Sequence, residues 1–357
     1  MPGRMTIAEA VPFPTPPRPG EALEVAPGIR WLRLALPFRL DHVNIYLVED
    51  GDGWLLIDTG VGNAASLAFW NGMLAAGAAG PLSGRPITRI LVTHHHPDHL
   101  GAAAHLANRT GAPLLMSETE YLIALYLIRG SHAGEDERLT RYYTRHGLGP
   151  DQIMALAGHL PRYRAVVPDL PVGFQPLRAG DEVLAGPRRW TVLVEPGHAP
   201  AQILLHSVED NILIAADHVL TRISPNIGVL DRSPEDDPLG RYLASLQNLR
   251  RLIPDGGLVL PGHHLPFRVL HERTRELEAH HEERCRQIAH ACHQRGQTVA
   301  ELLPTLFPFT LDAHQLWFAF SEILAHLNYM ARQGRLEPRD SHGRRRWGGP
   351  GRSSHSA

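Results

Sequence analysis

Apolar positions in this chain come in short runs, and the way they are spaced sets out the elements. From Ile29 the runs IRWLRLALPF, VNIYLVED and WLLIDTG predict strands, parted by turns such as Asp50-Gly51-Asp52-Gly53. Residues 64–78 predict a helix, PITRILVTHHH a strand, and DHLGAAAHLANRTG a helix stopped by Gly111. Strands return with WTVLVEPGH, ILLHS, NILIAADH and GLVLPGHH, broken by a helix near 237–253. Helices therefore alternate with strands, the mark of an α/β body, which these runs place at 29–270.

Three stretches depart from that alternation. Residues 117–180 predict a helical insert, opened by a capping pattern of Ser117 and Glu120 and continued at 135–146 and 150–158, and expected to stand over the active site. Residues 271–340 predict a small helical module with a short β-wing, its helices stopped by Gly296 and Gly334. The Pro-rich residues 1–28 and the Gly-, Arg- and Ser-rich residues 341–357 carry no periodic pattern. The first are expected to run over the surface or stay disordered, the second to be disordered.

Composition narrows the reading. A chain of 357 residues with 43% hydrophobic content can bury one large core and a smaller one. Lys+Arg 35 against Asp+Glu 37 leaves a formal charge of −2, which excludes a global field that would draw the protein to nucleic acid or an anionic membrane. Cys285 and Cys292 lie seven residues apart on a predicted helix, too distant to bridge easily, and read as reduced thiols. Neither a signal-peptide run nor a membrane span is visible, so the cytoplasm is expected. The unusual count is His 23, because imidazole is a common ligand of zinc and similar metals.

The histidines are not scattered evenly. His94-x-His96-x-Asp98-His99 directly follows the apolar strand Ile90-Leu91-Val92. Alternate residues leaving a strand point the same way, so His94 and His96 can grip one ion, while Asp98 and His99, past the bend, can reach a second. Further metal-compatible side chains each follow an apolar strand: His198 after TVLVEPG, Asp217 after NILIAA, His263 after GLVLPG, and Asp58 closing WLLIDTG. Strand ends are where an α/β fold places a site. His95 alternates away from its neighbours and reads as structural. His264 is an alternative to His263, and His218 leaves a similar doubt beside Asp217.

These motifs, IDTG, HHHPDH, PGH, ADH and PGH in that order, resemble the metallo-β-lactamase superfamily over about residues 29–270. The resemblance implies an αββα sandwich of two mixed sheets with helices outside and a dinuclear metal site at one edge. It implies that His94, His96 and His198 hold one metal and Asp98, His99 and His263 the other, with Asp217 bridging them. Asp58 is expected to orient a ligating His rather than bind metal, and the choice of His263 over His264 follows the family's Pro-Gly-His loop. Ala199-Pro200-Ala201 after His198, and Ala216 before Asp217, depart from the usual family pattern.

Two divalent ions imply hydrolysis, since together they lower the pKa of water and polarise the oxygen under attack. Asp98 is expected to hold the attacking hydroxide in position, and no Ser or Cys nucleophile is required. Zinc suits the ligands best, with iron or manganese acceptable. The expected substrate is a small-molecule ester, thioester or lactone, as in the glyoxalase II-like branch of the family. Tyr121 and Tyr126, on the apolar stripe of the insert, and Asn226, after Asp217, are candidate pocket residues. The alternative is a metal-dependent ribonuclease acting on single-stranded RNA, with basic RLEPRD and GRRRW segments after the last helix. A homodimer is also compatible with the sequence.

Overall fold

The computed structural model describes residues 10–37, 40–130, 135–157 and 162–350. In chain order the elements run β1 (Leu23–Ala26), β2 (Ile29–Ala35), β3 (His42–Asp50), β4 (Gly53–Ile57), α1 (Ala64–Ala75), β5 (Ile87–Leu91), α2 (Pro97–Leu100), α3 (Ala103–Thr110), β6 (Leu114–Met116) and α4 (Glu118–Arg129). They continue with α5 (Glu135–Arg145), α6 (Pro150–Ala157), α7 (Arg162–Val166), β7 (Phe174–Pro176), β8 (Glu182–Ala185), β9 (Arg188–Glu195), β10 (Gln202–Ser207) and β11 (Ile212–Ala216). The last are α8 (Pro238–Leu252), β12 (Leu258–Pro261), α9 (Leu270–Gln294), α10 (Val299–Leu306), α11 (Ala313–Arg332), β13 (Glu337–Ser341) and β14 (Arg344–Gly348).

The chain divides into two compact units. The first comprises Met1–Gly130, Arg162–Pro225 and Gln247–Thr274, and the second Ser131–Pro161, Asn226–Leu246 and Arg275–Ala357. The first unit holds two mixed sheets, a seven-stranded one in the order β1-β2-β3-β4-β5-β6-β7 and a five-stranded one in the order β12-β11-β10-β9-β8. Successive side chains of a strand face opposite ways, and the burial follows that alternation. Trp31, Tyr46, Leu55, Ile57 and Leu91 of the first sheet pack with Trp190, Ile203, Leu205, Ile214 and Leu260 of the second, in a core between the sheets. Their neighbours Leu32, Val43, Ile45, Trp54, Leu56 and Ile90 turn the other way and pack with Trp70 of α1, Leu106 of α3 and Tyr121 of α4. Each fully buried side chain of this kind contributes about 1.5–3 kcal/mol.

Two parallel pairs aim the site. β4 runs parallel to β5, and β11 parallel to β12, so each pair delivers its carboxyl ends to one side. Asp58 follows β4, Thr93 and His94 follow β5, Asp217 follows β11 and His263 follows β12.

The second unit is built on aromatic contacts. Phe320 of α11 meets Tyr142, Tyr143 and His146 of α5 and the turn after it, with ring centroids 5.6, 5.1 and 5.7 Å apart. His146 also stacks on Trp347 at 5.5 Å. Both α10 and α11 open with complete capping boxes, Thr298 with Glu301 and Asp312 with Gln315. Cys285 and Cys292 are free and buried on α9. Among the described residues no helix is long and apolar enough to cross a membrane.

Three expectations about organisation need correction. The stretch 117–180 is not one insert: α4, α7 and β7 belong to the first unit, whereas α5 and α6 belong to the second. Within 1–28, Leu23–Ala26 form β1, because the edge of β2 offers a partner and Val25 is buried. Within 341–357, Arg344–Gly348 form β14, antiparallel to β13. A composition of Arg and Gly hides that strand, whose anchors are the buried Trp347 and the pairing of Arg346 with Glu301 at 2.9 Å. Residues 1–9 and 351–357 lie outside the described residues.

Candidate metal centre

The seven side chains that the family resemblance assigns to the metals converge, in two groups. His94, His96 and His198 form one, and Asp98, His99, Asp217 and His263 the other; within each, one ligand atom per residue lies within 4.8 Å of the rest. The carboxylate of Asp217 faces both groups: Oδ1 lies 3.4 Å from His99 Nε2, and Oδ2 lies 3.5 Å from His198 Nε2 and 3.2 Å from His263 Nε2. Asp98 Oδ2 lies 3.3 Å from His263 Nε2 and 3.6 Å from His99 Nε2. In the three-histidine group the rings stand edge to face, with centroids 4.5 Å apart for His94 and His96, 4.6 Å for His96 and His198 and 5.1 Å for His94 and His198.

Hydrogen bonds behind the rings fix which nitrogen faces inward. Asp58 takes a positive φ of 62° at the end of β4, and its Oδ1 accepts from the backbone N–H of Thr93 at 2.8 Å. Asp58 Oδ2 accepts from Thr93 Oγ1 at 3.0 Å and from His99 Nδ1 at 2.8 Å. The hydroxyl of Thr93 has a single proton, which it gives to Asp58, so at 3.0 Å it accepts from His94 Nδ1. His263 Nδ1 donates to the backbone carbonyl of His42 at 2.7 Å. In the neutral forms of His94, His99 and His263 the Nε2 lone pairs therefore point into the cluster, as a metal requires.

The two groups differ in charge. Burial, then repulsion from His99, His96 and His198, holds His94 well below the usual imidazole range, and burial with His198 does the same to His96. Burial also opposes a charged His99 and His263, but here Asp217 outweighs it together with Asp98 and, at His99, Asp58. The result is a His99 well above its ordinary value and a His263 pushed up to about 10. Burial disfavours an ionised Asp217, yet His263 and His99 hold it well below the ordinary carboxylate range.

A divalent cation fits both groups. Neutral imidazoles and carboxylates are the donor set that zinc, iron and manganese accept. His94 Nε2 is buried with no hydrogen-bond partner among the described residues, a state that costs stability unless something else takes up the lone pair. Gly262 is required at its position, since a Cβ there would stand 2.2 Å from Asp217 Oδ1.

His95 turns away from both groups, and its Nδ1 donates to Glu120 Oε2 at 2.5 Å. His264 lies outside the two groups, with φ 65° and a ring centroid 5.7 Å from that of His42. His218 is buried and likewise outside them, its imidazole pushed down to about 3 by burial and by His198. The candidate pocket residues fare differently. Tyr121 is buried in the core of the first unit, stacked on Phe174 at 4.0 Å, and its hydroxyl donates to the carbonyl of Pro171 at 2.8 Å, which removes it as a pocket wall. A stripe of period 3.6 marks a buried face without saying what covers it. Tyr126 is half-buried on the same helix, and Asn226 belongs to the second unit, with its Nδ2 3.4 Å from the carbonyl of Phe318.

Sequence reasoning missed Thr93, His42 and Glu120. Ser117 caps α4 as expected, accepting from Glu120 N at 3.3 Å, but the carboxylate of Glu120 reaches other loops instead of closing the box. Thr93 sits inside the motif itself and is the one with a local signal. The other two act through contacts with residues far away in sequence.

Comparison with known proteins agrees with this geometry. The family described as the metallo-beta-lactamase superfamily matches residues 38–263, and the metallo-beta-lactamase-like C-terminal domain matches residues 285–348. An acyl-coenzyme A thioesterase of Gallus gallus is 31% identical over 242 residues, covering 66% of this chain and 77% of the thioesterase. The crystal structure of a beta-lactamase domain protein from Burkholderia ambifaria superposes with a TM-score of 0.87 at 36% identity, over 95% of this chain and 98% of that one. A metallo-beta-lactamase family protein from Thermus thermophilus superposes with a TM-score of 0.76 at 29% identity, over 91% of this chain and 100% of that one.

Proposed function

Because this chain belongs to the metallo-β-lactamase superfamily of metallo-hydrolases, we propose that it cleaves a small-molecule thioester of the acyl-coenzyme A class at a two-metal site. His94, His96 and His198 would hold one cation; Asp98, His99 and His263 would hold the second, with Asp217 shared between them. Zinc is the best match to this donor set. The observation that carries the reading is the place of Asp217, whose two oxygens lie against His99 on one side and against His198 and His263 on the other.

When bound, the two cations would lower the pKa of water to near neutrality and polarise the scissile carbonyl. The protein's own groups do the rest. Asp98 accepts a hydrogen bond from the attacking water and orients it toward the carbonyl carbon. Asp58 and Thr93 hold the rings of His99 and His94, so that their Nε2 atoms do not swing away. Attack on a thioester expels a thiolate, whose conjugate acid is strong enough for the group to leave without prior protonation. Esters and lactones undergo the same acyl chemistry but expel an alkoxide, a poorer leaving group, which favours the thioester.

Cleavage of RNA has less support. One relative is an acyl-coenzyme A thioesterase, and four of the five described arginines after α11 already face acids: Arg335 with Glu282, Arg339 with Glu337, Arg345 with Glu235, and Arg346 with Glu301. The testing experiment is a panel of acyl-coenzyme A thioesters, lactones, phosphodiesters and short RNAs, with His96→Ala as control. Turnover of thioesters that is lost on chelation and restored by zinc is expected. Turnover of RNA alone, rising at low salt, overturns the reading.

A further inference from the structure

We propose that Glu120 is the positioning residue of the three-histidine group, its one carboxylate tying the loop that carries His94 and His96 to the loop that carries His198. The proposal rests on the metal reading above.

Glu120 lies in the first turn of α4 and is fully buried. Oε2 accepts from the backbone N–H of His95 at 3.1 Å and from His95 Nδ1 at 2.5 Å, while Oε1 accepts from the backbone N–H of Ala201 at 2.7 Å. The residues it joins are 25 and 81 positions away, one between His94 and His96, the other three residues after His198. Neighbouring bonds hold both ends. Ser117 Oγ donates to the carbonyl of Ala201 at 2.9 Å, so the start of α4 grips both the N–H and the C=O of that residue. Tyr163 Oη donates to the carbonyl of His95 at 2.6 Å.

The platform is rigid, since Tyr121 and Ala124 of α4 are buried in the core of the first unit. Drawing His95 toward Glu120 also commits the alternation of the strand end, sending His94 and His96 to the opposite side. The three donors here are all N–H groups, so only an acceptor at both oxygens satisfies them. A glutamine would turn an amide NH₂ toward at least one N–H and break that bond. A metal-binding geometry set in this way is lost without any ligand being removed.

The test is titration of the metal-free full chain with zinc against a competing chelator, which resolves two binding steps. Glu120→Gln should weaken one step by about 10–100-fold and leave the other unchanged. In a His96→Ala background, where only the mixed group remains intact, adding Glu120→Gln should leave the surviving step unaltered. Equal weakening of both steps, or none, overturns the positioning role. A wild-type chain that binds fewer than two cations overturns the metal reading itself, and with it the proposal. If Glu120→Gln does not fold, His95→Ala removes the shortest of the three bonds and should weaken the same step several-fold; an unchanged step then overturns the proposal.

Discussion

The two donor groups of the centre are neighbours with opposite electrostatic character. Three imidazoles make up the first, and burial together with mutual repulsion keeps His94 and His96 neutral and ready to donate lone pairs. Two carboxylates and two imidazoles make up the second, and there Asp217 and Asp98 hold a proton on His263 until something more positive replaces it. The first group depends on geometry set by hydrogen bonds behind the rings; the second draws a cation by charge as well. The same chain end, Pro-Gly-His after a strand, brings His198 to the first group and His263 to the second, and what distinguishes the groups is the set of residues that the fold brings alongside.

That contrast can be broken at the point where the groups meet. Asp217→Ala removes the carboxylate that both share, so kcat/KM should fall by about three orders of magnitude or more, with metal lost from both groups. Activity near the wild-type level would count against a bridging role. Next, Asp98→Asn should retain cations but lower kcat by about a hundredfold, as expected when a group that handles the proton of the attacking water is lost. Full activity with both cations bound would remove that role from Asp98.

Smaller changes sharpen the contrast. Thr93→Val deletes the acceptor for His94 Nδ1, and should weaken binding at the three-histidine group by about tenfold, while the direct bond from His99 to Asp58 spares the mixed group. Metal titration of both steps reads this directly. Ala216→Gly touches neither group's donors. Ala216 sits at φ 44°, a conformation that favours glycine, so thermal unfolding should show a gain of about 1 kcal/mol with unchanged metal content. A loss of stability would mean that the neighbouring chain already relieves this strain.

The centre was more legible in the sequence than the surroundings that hold it. His94, His96, Asp98 and His99 were readable from spacing alone, because strand alternation and the following bend are local geometry. Asp58, His198, Asp217 and His263 were readable from strand ends, and the two sheets from period-two burial. The strand end alone left His264 as an alternative to His263, which the family's Pro-Gly-His loop decided, since the backbone turn that separates them, with φ 65° at His264, is fixed by partners such as His42 and Arg33, more than two hundred positions away. Glu120 looked like half of a helix cap, because its true partners come together only in the folded chain. α5 and α6 looked like part of an insert over the site, and contacts such as those of Tyr142, Tyr143 and His146 with Phe320 reveal the second unit to which they belong. Those contacts are long-range, and no local period encodes them.

The central claim is that the seven side chains form two sites that share Asp217. The most direct measurement is metal stoichiometry of the purified full chain after zinc loading and gel filtration, set beside His96→Ala and Asp217→Ala. Two cations per wild-type chain, one in His96→Ala and fewer than one in Asp217→Ala are the predicted results. One cation in the wild-type chain, or two retained in Asp217→Ala, would contradict the account.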